Sequence, residues 1–263
     1  MPFGNIQAEA AAVRNGTDVA LTDLRLAATW TDRAYQAPAY RRGRVLLAGD
    51  AAHIHSPLGG QGLNLGLGDA MNLGWKLAAT LRGDAPAGLL DSYLDERHPV
   101  GARVLDWSRA QVALMRPTRS TRALAAIMRD LIGTRDGATY FAERVSGVAL
   151  RYDLGGTDPL VGCSVPDFEL IDGPRIGELL HEGRGLFLDF DDRSSLRALV
   201  SRWRGRITYV ACDAKERPGV SAVLVRPDGF VAWSGQTAHP DDAHVATAAS
   251  RWFGEPEQAH ESA

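Results

Sequence analysis

The chain has 263 residues, 45% of them hydrophobic and 23% charged, with a formal net charge of -3. That composition suits a globular protein with a core, of one or two domains at roughly 100–200 residues each, and excludes a disordered tail, a collagen-like rod and a disulfide-dense miniature. The slightly acidic balance supplies no basic field to draw nucleic acid or an anionic membrane.

Two distant cysteines, Cys163 and Cys212, form no CxxC pair, which suits a reducing compartment and gives no zinc signature. No run reaches the ~20 apolar residues of a membrane span. Met1–Ala10 lacks the layout of a secretory signal. The expectation is a soluble, cytoplasmic chain.

Pro2 to Leu26 mixes an Ala-rich, weakly helical piece with an Asn15-Gly16 turn signal. Arg44 to Ala48 is a short apolar run opened by Arg41-Arg42-Gly43, and is predicted as a buried strand. Gly49 to Gly62 is a loop rich in Gly, Pro and Ser. Leu63, Leu67, Ala70, Leu73, Leu77 and Leu81 then recur at helical steps, and Gly83 ends the run. Further helices are predicted at Leu89–Leu114, interrupted near Pro99, at Ser120–Leu131 and at Thr139–Leu150. Tyr152 to Asp167 changes character, with three glycines and two prolines, and a domain boundary is placed there. Beyond it, strands are predicted at Gly185–Phe190, Arg206–Cys212, Ser221–Val225 and Phe230–Ser234. Helices are predicted at Ser194–Arg202 and His244–Phe253. Arg226-Pro227-Asp228-Gly229 is a hairpin turn, with Pro presetting φ and Gly accepting a positive one. These pieces make a small α/β unit with a polar, frayed tail.

The segment that carries chemistry is Gly49 to Asn64. A strand leads into Asp50, then into a glycine-rich loop, then into a long helix. A helix start presents unpaired N–H groups and a positive dipole end. Gly59, Gly60 and Gly62 allow close approach to the backbone. An anionic or electron-rich group is favoured there, and Asp50 could accept hydrogen bonds from hydroxyls of the same ligand. The loop has no GK[ST] ending, which argues against a Walker-type nucleotide site.

The stretch "RVLLAGDAAHIHSPLGGQGLNLGLGDAMNLGWKL", Arg44 to Leu77, resembles the second flavin-binding motif of the FAD-dependent aromatic hydroxylases. These are single-component monooxygenases similar to para-hydroxybenzoate hydroxylase, and the likeness is to the branch acting on phenols and aromatic polyketides. Thr22–Tyr40 resembles the end of that family's substrate domain, and Leu90–Leu105 continues the pattern. The resemblance implies an α/β fold: the C-terminal part of a glutathione-reductase-like FAD-binding fold, followed by a thioredoxin-like domain. Its divisions are a substrate-domain remnant (1–43), an FAD-domain segment with long helices (44–152), the thioredoxin-like domain (165–254) and a tail (255–263). It also implies that Gly49, Asp50, Pro57, Gly60, Gln61, Gly62, Leu63 and Asn64 position FAD. Asp50 would hold the ribityl chain, Pro57 would lie beside the isoalloxazine, and the amides at 62–64 would face its N1, C2 and O2 edge. NAD(P)H would be the reductant, O2 the oxidant and a small phenolic or polyketide aromatic the substrate.

The family's GxGxxG turn and its middle FAD and nicotinamide motif have no counterpart here. The expectation is therefore the C-terminal part of such an enzyme, completed by an N-terminal-half partner or acting as a homodimer. The alternative is a non-catalytic accessory or remnant module that binds a partner protein. Gly66, Gly68 and Gly74 inside the helix imply a close neighbour, with the absent half as one source of it. The D-x-x-H-x-H spacing of Asp50, His53 and His55 could bring three metal ligands together, but within the family pattern these positions are structural or line the flavin loop. Asp69 is expected to need a hydrogen-bonding or ionic partner, and Trp75 to pack in the core. Arg116, Arg119 and Arg122 are read as a solvated face.

Overall fold

The structure is a computed structural model and describes residues 33–171, 173–216, 219–235 and 242–257. The expected helical piece and turn before Leu26, most of the 1–43 segment and residues 258–263 lie outside the described residues. Residues 34–263 group together by their contacts.

Two small ladders precede the first helix. β1 (Tyr35–Gln36) pairs antiparallel with β4 (His53–Ile54), and β2 (Arg41–Arg42) with β3 (Val45–Leu46). The expected buried strand over 44–48 is corrected here. Only Val45 and Leu46 are extended, and Val45 is 64% exposed. Gly43, at φ 62, turns the chain so that this pair lies against two exposed arginines rather than inside a sheet. A small core of Tyr40, Ala52 and Tyr93 sits beside these ladders.

Helix α1 (Gln61–Arg82) ends at Gly83, whose left-handed backbone (φ 83) returns its N–H to Ala79 and Thr80. Its orientation inverts the apolar stripe read from the sequence. Leu63, Leu67 and Leu81 are 75%, 55% and 79% exposed, whereas Leu65, Asp69, Asn72, Lys76 and Ala79 are buried. The polar face turns inward because its ionic partners lie there.

Helix α2 (Ser92–Met115) runs unbroken through Pro99, against the predicted interruption. Tyr93, Val100 and Leu105 are buried on both sides of the proline, and that packing carries the helix across one lost hydrogen bond. Helix α3 (Arg119–Ile132) starts at a Thr118–Thr121 capping box. Helix α4 (Arg135–Ser146) begins four residues before the prediction, because Thr134 caps it, and Gly147 at φ 82 ends it. Arg116, Arg119 and Arg122 are exposed.

A short helix α5 (Ile176–Leu179) leads to a four-stranded sheet of order β6-β5-β7-β8. The strands are β5 (Gly185–Asp189), β6 (Ile207–Ala211), β7 (Ala222–Val225) and β8 (Val231–Gly235). β5 pairs parallel with β6 through the crossover helix α6 (Ser194–Val200), while β5–β7 and β7–β8 are antiparallel. Helix α7 (Asp242–Phe253) packs on this sheet. Leu186, Phe187, Leu188, Val223, Leu224 and Trp203 are wholly buried. The expected fraying does not extend to the start of the tail. Trp203 Nε1 donates to Gly254 O (2.7 Å), and Arg206 donates to Phe253 O (2.6 Å) and Glu255 O (2.8 Å).

Candidate functional site

The loop before α1 consists of two 3-10 turns, Gly49–Ala51 and Leu58–Gly60, flanking β4. Gly49, Gly59 and Gly60 hold φ of 58°, 74° and 65°, a region that favours glycine. Gly60 precedes α1 with no side chain capping the helix. A Cβ at Gly60 would meet nothing within 4 Å. The loop therefore leaves the positive end of a 22-residue helix open on its backbone side.

Six of the eight predicted residues come together here. Gly49, Asp50, Pro57, Gly60, Gly62 and Leu63 line one open cavity of about 550 Å³, with Ile54, His55, Gly66 and Leu67. Gln61 and Asn64 do not line it. They face the opposite flank of α1, in a second cavity. Helical rotation separates them, since Gln61 and Asn64 lie three apart on one face.

Asp50 is exposed at the cavity rim. His55 Nδ1 lies 2.7 Å from Ser56 O. That contact needs a proton on Nδ1 and leaves Nε2 buried and unpartnered among the described residues. The same nitrogen stands 3.5 Å from where a Cβ of Gly62 would lie. A rim carboxylate, an open backbone floor, an uncapped helix start and an unpartnered ring nitrogen fit the hydroxyls and electron-rich ring edge of a flavin.

A buried anchor holds the cavity floor in place. Asp69, with no exposed surface, accepts from Gly49 N (3.0 Å), Arg97 Nε (2.7 Å) and His53 Nε2 (2.6 Å). Arg97 donates onward to Leu65 O (3.0 Å) and Tyr152 OH (3.1 Å). Burial pushes the Asp69 carboxyl up, but His53, Arg97 and the Gly49 amide outweigh it and hold the group below its ordinary value. His53 is thus a structural partner. Among the described residues, no group of three or more His, Cys, Asp or Glu is placed to hold a metal ion.

Next to Arg97 on α2, Glu96 faces a second buried cluster. Arg226, in the β7–β8 turn, donates to both Glu96 oxygens at 2.8 Å and to Asp228 at 3.0 Å. Asn72 donates to Glu96 at 2.6 Å, and Lys76 Nζ lies 3.0 Å from Glu96. Two cations (Lys76, Arg226) balance two anions (Glu96, Asp228). Burial raises the Glu96 carboxyl, but its bonds and charge attraction to Arg226, with Lys76 and Asn72, bring it down to about 2. Burial lowers the Lys76 amine to about 8, against the attraction of Glu96. The Arg226 guanidinium lies 4.5 Å from the Trp252 ring centre and 5.5 Å from that of Trp75.

The close neighbour expected for the helix glycines is supplied from within this chain at two of the three positions. A Cβ on Gly66 would stand 3.4 Å from Gly49 Cα, and one on Gly68 would stand 2.8 Å from Arg97 Nη2. Gly74 has nothing within 4 Å. The sequence carried one readable signal for the network: Asp69, Asn72 and Lys76 recur at i, i+3 and i+7. Their partners, Glu96, Arg97, Arg226 and Asp228, were not legible.

Residues 7–108 match the family described as FAD binding domain, and residues 158–256 match the aromatic-ring hydroxylase C-terminal family. The chain is 45% identical over 239 residues to a rifampicin monooxygenase of Streptomyces venezuelae, covering 91% of this chain and 48% of that one. It is 41% identical over 249 residues to a 12-dehydrotetracycline 5-monooxygenase/anhydrotetracycline 6-monooxygenase of Streptomyces rimosus, covering 92% and 49%. The fold matches CabE, an aromatic hydroxylase from angucycline biosynthesis, with TM-score 0.86 at 39% identity over 98% of this chain and 54% of that one. The two matches follow one another along a mixed helix and sheet fold. The chain is similar to FAD-dependent aromatic and polyketide monooxygenases, and it spans about half the length of the curated relatives it matches. Among the described residues, no helix is long and apolar enough to cross a membrane.

Proposed function

We propose that this chain forms the ring-binding side of a cytoplasmic FAD-dependent monooxygenase that hydroxylates a phenolic or polyketide aromatic substrate with NAD(P)H and O2. The supporting observation is the convergence of Gly49, Asp50, Pro57, Gly60, Gly62 and Leu63 on one cavity at the open start of α1. When bound, FAD supplies the redox chemistry. The chain's own residues position it. Asp50 accepts hydrogen bonds from ribityl hydroxyls at the rim. The glycine backbone admits the ring edge, and the helix start stabilises negative charge there, worth roughly 0.3–1 kcal/mol. His55 Nε2 accepts one further donor. Gln61 and Asn64 act from the far flank of α1, through the helix turn they share with Gly62 and Leu63.

In this reading the segments 1–43, 44–152, 165–254 and 255–263 are the substrate-domain remnant, FAD-domain segment, thioredoxin-like domain and tail. The parallel β5–β6 pair and antiparallel β7–β8 hairpin, with α6 and α7, support a thioredoxin-like unit without a redox pair. An N-terminal-half partner or a second copy contributes the remaining dinucleotide contacts. The test is an FAD titration followed by flavin fluorescence and absorbance, with the chain alone and with such a partner. Saturable binding, weakened about tenfold in Asp50→Asn by loss of a charge-assisted hydrogen bond, is expected. A chain that stays colourless with excess FAD in both settings overturns the reading.

A further inference from the structure

The second cavity, about 600 Å³, lies between α1, α2 and the end of α4. That volume falls in the roughly 300–1,000 Å³ range of small-molecule sites. Its walls are mostly apolar, formed by Leu65, Val100, Val104, Trp107 and Leu150. Trp107 is fixed by its ring contact with Phe141, with centroids 5.3 Å apart.

The charges at its mouth are not balanced. Arg97 is neutralised by Asp69, and Asp106 by Arg109 at 2.7 Å. Arg103 and Arg144 also line the cavity. Both are exposed, and neither has an ion pair among the described residues. Arg144 is held ready. Its guanidinium carbon stands 3.3 Å from the Tyr140 ring centre, and Nη1 donates to Tyr140 O at 3.0 Å. Stacking leaves its other donors free and lowers the entropy cost of using them. Gln61 and Asn64 supply amides on the α1 side.

We propose that this cleft is a separate binding site for a planar aromatic anion, an arenecarboxylate or phenolate. Its ring lies against Trp107, Val104 and Leu150, and its anionic head meets Arg103 and Arg144. The inference goes beyond the flavin reading and does not depend on it: this cleft shares no lining residue with the cavity assigned to FAD, and Gln61 and Asn64, also assigned to the flavin, lie outside the ring and anion contacts named here.

The test is isothermal titration calorimetry of the full chain with 2-naphthoate, neutral 2-naphthamide and cyclohexanecarboxylate. Saturable binding of 2-naphthoate is expected, with each control at least about tenfold weaker, the scale of one charge-assisted hydrogen bond or one aromatic wall. The Arg103→Gln/Arg144→Gln double variant alters two exposed side chains, so its circular dichroism should match the parent; it should bind 2-naphthoate about tenfold or more weakly. Val104→Trp, which fills the cleft, should abolish binding. Saturating FAD should leave the naphthoate affinity unchanged. The proposal is overturned by absence of saturable binding, by equal affinity in the folded double variant, or by displacement of naphthoate by FAD. A chain that binds 2-naphthoate but not FAD sinks the flavin reading and leaves this one standing.

Discussion

Replacing Asp69 by Asn tests whether the buried anchor holds the cavity floor. The side chain keeps its volume but loses its charge. Asp69 is fully buried and satisfies three donors, at 2.6, 2.7 and 3.0 Å. An Asn oxygen can still accept from one or two of them, while its NH2 must face a donor. Arg97, only 1% exposed, is left with Tyr152 OH and Leu65 O but no counter-charge. Removing one partner of a buried pair costs about 3–5 kcal/mol. For a chain of this size that corresponds to a fall in Tm of about 6–20 °C, at ~2–4 °C per kcal/mol. Urea denaturation followed by tryptophan fluorescence gives the midpoint and slope. Asp50→Asn is the control: the residue is exposed, and its stability should change by no more than about 0.5 kcal/mol. If Asp69→Asn unfolds within about 1 kcal/mol of the parent, the anchor carries less than the Coulomb argument requires.

The helix glycines offer a paired test by thermal melts. Gly68→Ala brings a Cβ to 2.8 Å from Arg97 Nη2 and should destabilise by about 1–3 kcal/mol despite better helix propensity. Gly74→Ala meets nothing within 4 Å and should stabilise by about 0.5–1 kcal/mol; the same sign for both would discredit the packing assignment. Acid should weaken the fold in a definite window. Glu96 sits at about 2 against an ordinary 4.5, so its contribution is complete above pH 4.5 and drains away as pH falls toward 2. Asp69, also lowered, adds in the same direction. Urea midpoints that stay flat from pH 6 to pH 2.5 would count against both assignments.

Much of the secondary structure was legible because local signals agreed with the fold. Gly83 and the four-residue steps marked α1, and Arg226-Pro227-Asp228-Gly229 marked the hairpin. The apolar period of α4 starts only at Thr139, whereas the cap at Thr134, three residues before Gly137, starts the helix earlier. Pro99 has a breaker's propensity that tertiary packing overrides. The apolar stripe of α1 misled most. Period alone says that leucines share a face, but not whether that face is inside. The decision fell to Asp69, Asn72 and Lys76, whose partners lie 16 to 156 residues away, and no local pattern reports them. Within the site, the glycines and Asp50 were readable from type and order, while the split that sends Gln61 and Asn64 to the other flank follows from the helix's rotation.

Glu96 and Arg97 are chain neighbours, yet one grips the β7–β8 turn and the other the residue that tethers Gly49. Prising the hairpin from the helices would break several buried charge-assisted bonds at once. Such a joint gives way all together or not at all. Amides of α1 and of the distant turn should consequently exchange with deuterium at one shared rate, as though a single bolt secured two doors.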